Sequence, residues 1–228
     1  MPVQVCVFDA YGTLFDVDGA ARIAGEADPS GRLGEVWPRL AADWRRKQLD
    51  YTWLRAAAGQ HADFWQVTQD ALDWALEAAG LQDDELRAQL LALYEELPTY
   101  PEVRTELQAL ESAGLACAIL SNGTPHMLQR AVAAAGIAEY FDAVLSVEAV
   151  GVFKPARAVY DLVGARFDLP HGEVLFISAN GWDICAGAAY GFRTLWVNRQ
   201  GAPQDRVFQP PEATRPDLTG LAAHARRL

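Results

Sequence analysis

Polar side chains that could form a covalent catalytic site lie at or just beyond the ends of four short apolar runs. They are Asp9, Ser121, Asn122, Lys154, Ser178, Asn180 and Asp183. A carboxylate beside an amine can act as a nucleophile, because the amine keeps it ionised. Each residue also has an ordinary interpretation, as a turn residue, a solvated lysine or an acid at the start of a helix. Because such residues follow four separate apolar runs, chance is a poor explanation, and one shared site is favoured.

The apolar runs have the pattern of strands that are buried on both faces. They cover 3–8, 115–120, 143–147, 174–177 and 193–197, and helical patterns cover 102–113, 125–135, 156–167 and 182–190. Strands that alternate with helices at this spacing predict an α/β fold with a doubly wound, mainly parallel, Rossmann-like sheet. Ligands bind such sheets beyond the carboxyl ends of the strands, where the polar residues are expected to meet.

The alternation is interrupted between residues 17 and 98. This segment is rich in Ala, Leu, Glu, Gln and Arg, it holds five of the seven tryptophans, and its apolar residues recur at helical intervals. We therefore predict a helical cap domain at 17–98 inserted into a Rossmann-like core of residues 1–16 and 99–228. The Pro- and Gln-rich tail at 201–215 is predicted to wrap the surface.

Composition excludes several classes of protein. The 228 residues are 51% hydrophobic and 21% charged, which is typical of a globular chain. A net charge of −11 argues against binding to nucleic acid or to an anionic membrane. Three widely spaced cysteines, no signal peptide and no apolar run long enough to span a membrane predict a cytoplasmic protein.

Four motifs, in order, resemble those of the haloacid dehalogenase-like superfamily. They are FDAYGTLFD at 8–16, LSNG at 120–123, FKP at 153–155 and SANGWD at 178–183. The fourth motif is similar to the form found in L-2-haloacid dehalogenases. The run WRRKQL at 44–49, with YTWLR at 51–55, is similar to the cap helix of the same enzymes.

The resemblance implies hydrolysis of L-2-haloalkanoic acids to D-2-hydroxyalkanoic acids without a metal or cofactor. Asp9 would attack the substrate Cα and form an ester, which water would then cleave. Lys154 would keep Asp9 ionised, and Asp183, positioned with Asn180 and Ser178, is the candidate for activating the water. The resemblance names two further positioning residues, Thr13 and Tyr160.

The same resemblance implies which residues contact the substrate. Ser121, with backbone N–H groups near Tyr11 and Gly12, would hold the carboxylate. The departing halide would lie against Arg45, Asn122 and the ring edge of Trp182. The alkyl side would be lined by Ala10, Tyr11, Leu49, Phe64 and Trp182. Relatives are often dimers through the cap, and the tryptophan-rich insertion permits a homodimer, although the sequence leaves the oligomeric state open.

The main alternative is a phosphatase or phosphonatase of the same superfamily that acts on a small phosphorylated metabolite. Such phosphatases have a second Asp two residues after the nucleophile, but this chain has Tyr11 there, which is a poor acid near neutral pH. They also bind Mg²⁺ with a carboxylate-rich fourth motif, whereas the motif here offers the single acid Asp183. A receiver-like scaffold is a further alternative, but it would need an acidic pair that the chain start lacks.

Overall fold

The computed structural model describes residues 2–28 and 31–228. Its single sheet has six strands in the order β3-β2-β1-β4-β5-β6, and every neighbouring pair is parallel. The strands are β1 Val5–Phe8, β2 Ala116–Ser121, β3 Ala143–Ser146, β4 Val174–Ser178, β5 Arg193–Val197 and β6 Ala213–Arg215. The predicted α/β fold and its five strands are confirmed, with the first two strands starting one or two residues later than expected.

Helices connect the strands and carry the insertion. They are α1 Gly19–Ala27, α2 Arg32–Ala58, α3 Phe64–Ala79, α4 Asp84–Glu95, α5 Val103–Ser112, α6 Pro125–Ala134, α7 Arg157–Phe167, α8 Gly181–Tyr190 and α9 Leu221–Ala225. The four predicted core helices are α5 to α8, each within one residue of its predicted ends. Side-chain caps begin α3 and α6, where Asp63 and Thr124 accept from the backbone N–H groups of Gln66 and Met127.

The tail departs from the prediction. Residues 213–215 form β6, which pairs with β5 at the edge of the sheet. This edge strand has three residues and is only partly buried, so its sequence contains no apolar run. For that reason its sequence pattern does not differ from that of a surface loop. The preceding stretch at 201–210 is exposed, as expected.

The central strands of the sheet are almost completely buried. All four residues of β1 and all five of β4 are buried, because helices cover both faces of the sheet. The three cysteines are free and buried. Burial raises the pKa of the Cys6 and Cys117 thiols, to about 12 for Cys117, so these two thiols stay protonated.

Four helices, α1 to α4, occupy the segment between β1 and α5, and its described residues form no strand of the sheet. Trp44 is buried and donates from its indole nitrogen to the Thr68 carbonyl oxygen at 2.9 Å, which ties α2 to α3. The chain leaves and re-enters the core at adjacent points, where Asp16 N donates to the Pro98 carbonyl oxygen at 2.8 Å. The exact division into 1–16, 17–98 and 99–228 stays a prediction.

Within the described ranges, none of the helices combines the length and apolarity that a membrane crossing requires.

Candidate active site

Asp9 lies at the end of β1, in the middle of the sheet. Phe8, the residue before it, is in register with Ile119 of β2 and Ile177 of β4. The backbone N–H of Asp9 donates to the Ile177 carbonyl oxygen at 2.9 Å, which holds the turn against β4. The side chain is therefore placed at the carboxyl edge of the sheet between the ends of β2 and β4, and it is only 6% exposed.

A buried ammonium group joins two carboxylates at this edge. The Nζ of Lys154 lies 3.2 Å from Asp9 Oδ1 and 2.9 Å from Asp183 Oδ2. Burial lowers the pKa of Lys154, but the charges and hydrogen bonds of Asp183 and Asp9 outweigh that effect and raise it above its ordinary value. The lysine therefore stays protonated near neutral pH. The backbone N–H of Lys154 donates to Asn122 Oδ1 at 3.0 Å. This hydrogen bond holds the loop that carries Lys154 against the loop that follows β2.

The second oxygen of Asp9 accepts two further hydrogen bonds. Thr13 Oγ1 donates to Asp9 Oδ2 at 2.9 Å, and Asn180 Nδ2 donates to the same oxygen at 2.8 Å. Thr13 Oγ1 in turn accepts from the Ala179 backbone N–H at 2.8 Å. Among the described residues, three donors thus hold the Asp9 carboxylate in one orientation, and Oδ1 is bound by the ammonium alone.

Asp183 is completely buried and receives hydrogen bonds from two hydroxyl groups as well as from Lys154. The Tyr160 hydroxyl lies 2.7 Å from Asp183 Oδ1, and Ser178 Oγ lies 3.1 Å from Asp183 Oδ2. Burial raises the pKa of Asp183 and Lys154 opposes this, with a raised pKa as the net result. Burial beside Asp183 also raises the pKa of Tyr160 well above its ordinary value, so the phenol remains a donor.

Asn180 contacts Asp183 through its backbone and Asp9 through its side chain. The Asn180 amide points to Asp9, and only its backbone carbonyl receives the Asp183 N–H, at 3.1 Å in the first turn of α8. Asn180 caps that helix with its backbone, which leaves the amide free to reach β1.

Arg45 reaches the site from α2 and donates to three oxygens. Its Nη1 lies 2.7 Å from Gln48 Oε1, and its Nη2 lies 3.1 Å from Asn180 Oδ1 and 3.3 Å from the Tyr11 carbonyl oxygen. The guanidinium is thus one hydrogen-bonded side chain away from Asp9. Arg45 and Gln48 are three residues apart on α2, and their contact shows that they share a face of the helix.

The loop after β1 contradicts one expectation about substrate binding. The Gly12 N–H donates to the Phe15 carbonyl oxygen at 2.8 Å and is not free to hold a carboxylate. Gly12 has a φ of +90°, which allows the tight turn that makes this bond. Ser121 is fully buried at the end of β2, and its Oγ accepts from the Gly123 N–H at 3.1 Å, which leaves its hydroxyl hydrogen available as a donor.

The predicted alkyl wall divides into buried and partly exposed parts. Ala10, Tyr11 and Phe64 are buried, and the Tyr11 and Phe64 rings pack with centroids 5.8 Å apart. Leu49 and Trp182 are half-buried. The Trp182 ring stands edge-on to Trp53 at 5.4 Å, and its buried indole nitrogen has no hydrogen-bond partner among the described residues. Burial raises the pKa of Tyr11 well above its ordinary value, which makes it a poor proton donor.

A cleft of about 550 Å³ opens between α2 and the edge of the core beside this site. Gly12, Arg45 and Asn180 form its inner wall, and Leu49 and Trp53 line the α2 side. Asp9 does not line the cleft. The cleft therefore ends at Asn180, which contacts the Asp9 carboxylate, and at Arg45, which contacts Asn180.

Two residues that contact the site, Arg199 and Gln48, are not among the site residues predicted from the sequence. Arg199, in the loop after β5, donates to the Thr13 carbonyl oxygen at 2.8 Å, pairs with Glu102 at 2.7 Å and stacks on Tyr100. Its position just beyond a predicted strand was the same signal that singled out the other residues. Gln48 contacts Arg45 from inside the insertion, and a polar residue in an apolar stripe was its signal.

Among the residues that the structure describes, no group of three or more His, Cys, Asp and Glu side chains is arranged to hold a metal ion. The carboxylates of Asp9 and Asp183 instead share the Lys154 ammonium, which would repel a cation at that point. The metal-independence of the reaction stays a prediction.

Residues 3–191 match the family model for haloacid dehalogenase-like hydrolases. The chain is 42% identical over 221 residues to (S)-2-haloacid dehalogenase 1 of Pseudomonas sp. (strain CBS-3), covering 96% of this chain and 95% of that protein. It is 46% identical over 198 residues to the (S)-2-haloacid dehalogenase of Xanthobacter autotrophicus, covering 86% and 76%. A solved structure of L-2-haloacid dehalogenase from Xanthobacter autotrophicus, with chloropropionic acid covalently bound, superposes with a TM-score of 0.87 at 37% identity over 98% of each chain.

Proposed function

The chain belongs to the haloacid dehalogenase-like hydrolases, and we propose that it hydrolyses L-2-haloalkanoic acids to D-2-hydroxyalkanoic acids and halide. The observation that carries this proposal is the buried ammonium of Lys154 between Asp9 and Asp183. This arrangement places a carboxylate nucleophile at a strand end with a cation beside it. Halide is a good leaving group, so no acid is needed at the position of Tyr11.

The first step is an attack by Asp9 on the substrate Cα from the side opposite the halogen. Asp9 Oδ2 already accepts from Thr13 and Asn180, whereas Oδ1 accepts only from Lys154 within the part of the chain that the structure describes. We assign Oδ1 as the attacking atom because it keeps a free lone pair. The new C–O bond forms as the carbon–halogen bond breaks, which inverts the configuration and releases halide.

The second step is hydrolysis of the Asp9 ester by water at the carboxyl carbon. Asp183 is assigned as the base, with Ser178 and Tyr160 holding its two oxygens. Lys154 bridges both acids and would stabilise the negative charge that develops on the ester oxygen. The oxygen that enters the first product comes from Asp9, and the solvent oxygen replaces it in the enzyme.

Substrate contacts are assigned to the surrounding side chains. Ser121 can offer its hydroxyl to the substrate carboxylate, and Arg45 with Asn122 and Trp182 would stabilise the departing halide. Segment 17–98 acts as the cap that brings Arg45 over the strand ends. The alkyl group is assigned to Ala10, Tyr11, Leu49, Phe64 and Trp182.

The cysteines and one exposed apolar side chain bear on location and assembly. Three free, buried cysteines suit a reducing compartment, and we place the enzyme in the cytoplasm. A homodimer through the cap is proposed from Leu54, which is 65% exposed on α2 beside the half-buried Tyr51.

A single turnover in heavy-oxygen water tests the ester. With enzyme in excess over L-2-chloropropionate, we expect the first product to carry no solvent oxygen and the label to appear in the peptide that contains Asp9. Mass spectrometry of product and peptide reads both. Label in the first product, with none in Asp9, would show direct attack by water and would contradict the mechanism.

Replacing Arg45 by lysine should reduce kcat/KM for L-2-chloropropionate by about 100-fold. The guanidinium contacts Gln48, Asn180 and the Tyr11 carbonyl at once, and a single ammonium cannot reach all three positions. Steady-state halide release measures the effect. Arg39→Lys, an exposed site on α2, serves as the matched control and should behave like wild type. Near-wild-type turnover by Arg45→Lys would remove Arg45 from the mechanism.

A further inference from the structure

Gln48 is a buried polar side chain inside the insertion. It lies on α2 and is only 1% exposed. Burying an amide away from water has a free-energy cost unless its donors and acceptor find partners. The partners of Gln48 therefore indicate what the residue does.

The hydrogen-bond partners fix the orientation of the Gln48 amide. Nε2 donates to Thr68 Oγ1 at 2.8 Å and to the Tyr94 hydroxyl at 3.0 Å. Thr68 gives its own hydroxyl hydrogen to the Phe64 carbonyl oxygen at 2.7 Å, so toward Gln48 it can only accept. The amide nitrogen must face Thr68, and the amide oxygen must then face Arg45.

Gln48 Oε1 receives Arg45 Nη1 at 2.7 Å, a charge-assisted hydrogen bond. The other end of the guanidinium reaches Asn180 Oδ1 at 3.1 Å, and Asn180 Nδ2 reaches Asp9 at 2.8 Å. A continuous chain of hydrogen bonds thus runs from α3 through α2 to the carboxylate at the end of β1.

We propose that Gln48 is a positioning residue that holds the Arg45 guanidinium in the orientation required to stabilise the departing halide. The proposal rests on the function proposed above, in which Arg45 faces the halide. A flexible arginine can adopt many rotamers, and a fixed acceptor at Nη1 leaves Nη2 and Nε in a constant position. Gln48 itself does not touch the reacting atoms.

The leaving group provides a readout that a purely structural role would not change. Chloride leaves carbon less readily than bromide, so the chloride reaction depends more on donors that stabilise the halide. In Gln48→Met we expect kcat for L-2-chloropropionate to fall about 10- to 100-fold and kcat for L-2-bromopropionate to fall by a smaller factor. Gln69→Met, the same change at a half-buried position on α3, is the control and should leave both rates unchanged.

The interaction with Arg45 is tested by a double mutant. If Gln48 acts through Arg45, adding Gln48→Met to Arg45→Lys should change turnover by less than about threefold. Full additivity of the two losses, or an equal loss with both halides in the single variant, would overturn the proposal.

Two measurements keep the proposal testable outside these kinetics. In a crystal structure of Gln48→Met, we expect the Arg45 guanidinium to have left Asn180 and the Tyr11 carbonyl, and an unmoved guanidinium would overturn the proposal. The position of the guanidinium tests the role of Gln48 independently of the proposed function. The proposed function is contradicted if the wild-type protein releases no halide. Should Gln48→Met not fold, Gln48→Glu keeps the acceptor for Arg45. Once the Thr68 hydroxyl turns from the Phe64 carbonyl oxygen to donate to the new carboxylate, we expect chloride turnover within about fivefold of wild type. A loss as large as that of Arg45→Lys would contradict the positioning role.

Discussion

Asp9→Asn reduces the rate of halide release from L-2-chloropropionate by about 10⁴-fold or more. The amide has nearly the shape of the carboxylate, but it lacks the charge and the basic oxygen that attack carbon. The fold should persist, because Lys154 keeps its shorter contact, 2.9 Å to Asp183. Chloride release at saturating substrate measures the loss, and circular dichroism checks the fold.

The matched control for this variant is Asp84→Asn. Asp84 is an exposed acid in the first turn of α4, far along the chain from the strand ends. It should release chloride at the wild-type rate. Residual activity of Asp9→Asn within tenfold of wild type would show that another group is the nucleophile.

Lys154→Met should abolish measurable turnover and destabilise the folded state by about 3–5 kcal/mol. The substitution removes the ammonium and leaves the carboxylates of Asp9 and Asp183 buried without a counter-charge between them. The loop itself should stay in place, since the backbone N–H of residue 154 still donates to Asn122. Urea unfolding measures the free energy, and Lys47→Met, at the only other lysine of the chain, is the control.

The destabilisation of Lys154→Met should depend on pH with a defined sign. The pKa of Asp183 in the folded protein already lies above its ordinary value of 3.8, and loss of the ammonium raises it further. A group with a raised folded pKa contributes stability below its unfolded pKa and loses that contribution as pH rises through the folded pKa. The deficit against wild type should therefore be smallest near pH 4 and increase toward neutral pH. A deficit that is constant over this range would show that Asp183 is not the group responsible.

The strand-end residues could be predicted from the sequence for a simple reason. Parallel strands that are buried on both faces give continuous apolar runs, and their carboxyl ends must meet at one edge. The sequence therefore assigns Asp9, Ser121 and Ser178 to one site. Lys154 follows β3 less directly, yet the structure brings it between Asp9 and Asp183.

The tertiary structure alone decided which donor meets which acceptor. The Gly12 N–H could have faced a substrate but bonds to Phe15, and the Asn180 amide turned to Asp9 and not to Asp183. Several partners lie within reach of each of these groups, and local sequence does not distinguish between hydrogen bonds of similar strength. The choice depends on how the loop after β1 and the start of α8 pack at the edge of the sheet, since a shift of about 1 Å exchanges one partner for another. The chain order of apolar and polar residues determined where the chemistry lies, whereas packing determined the hydrogen bonds that orient it.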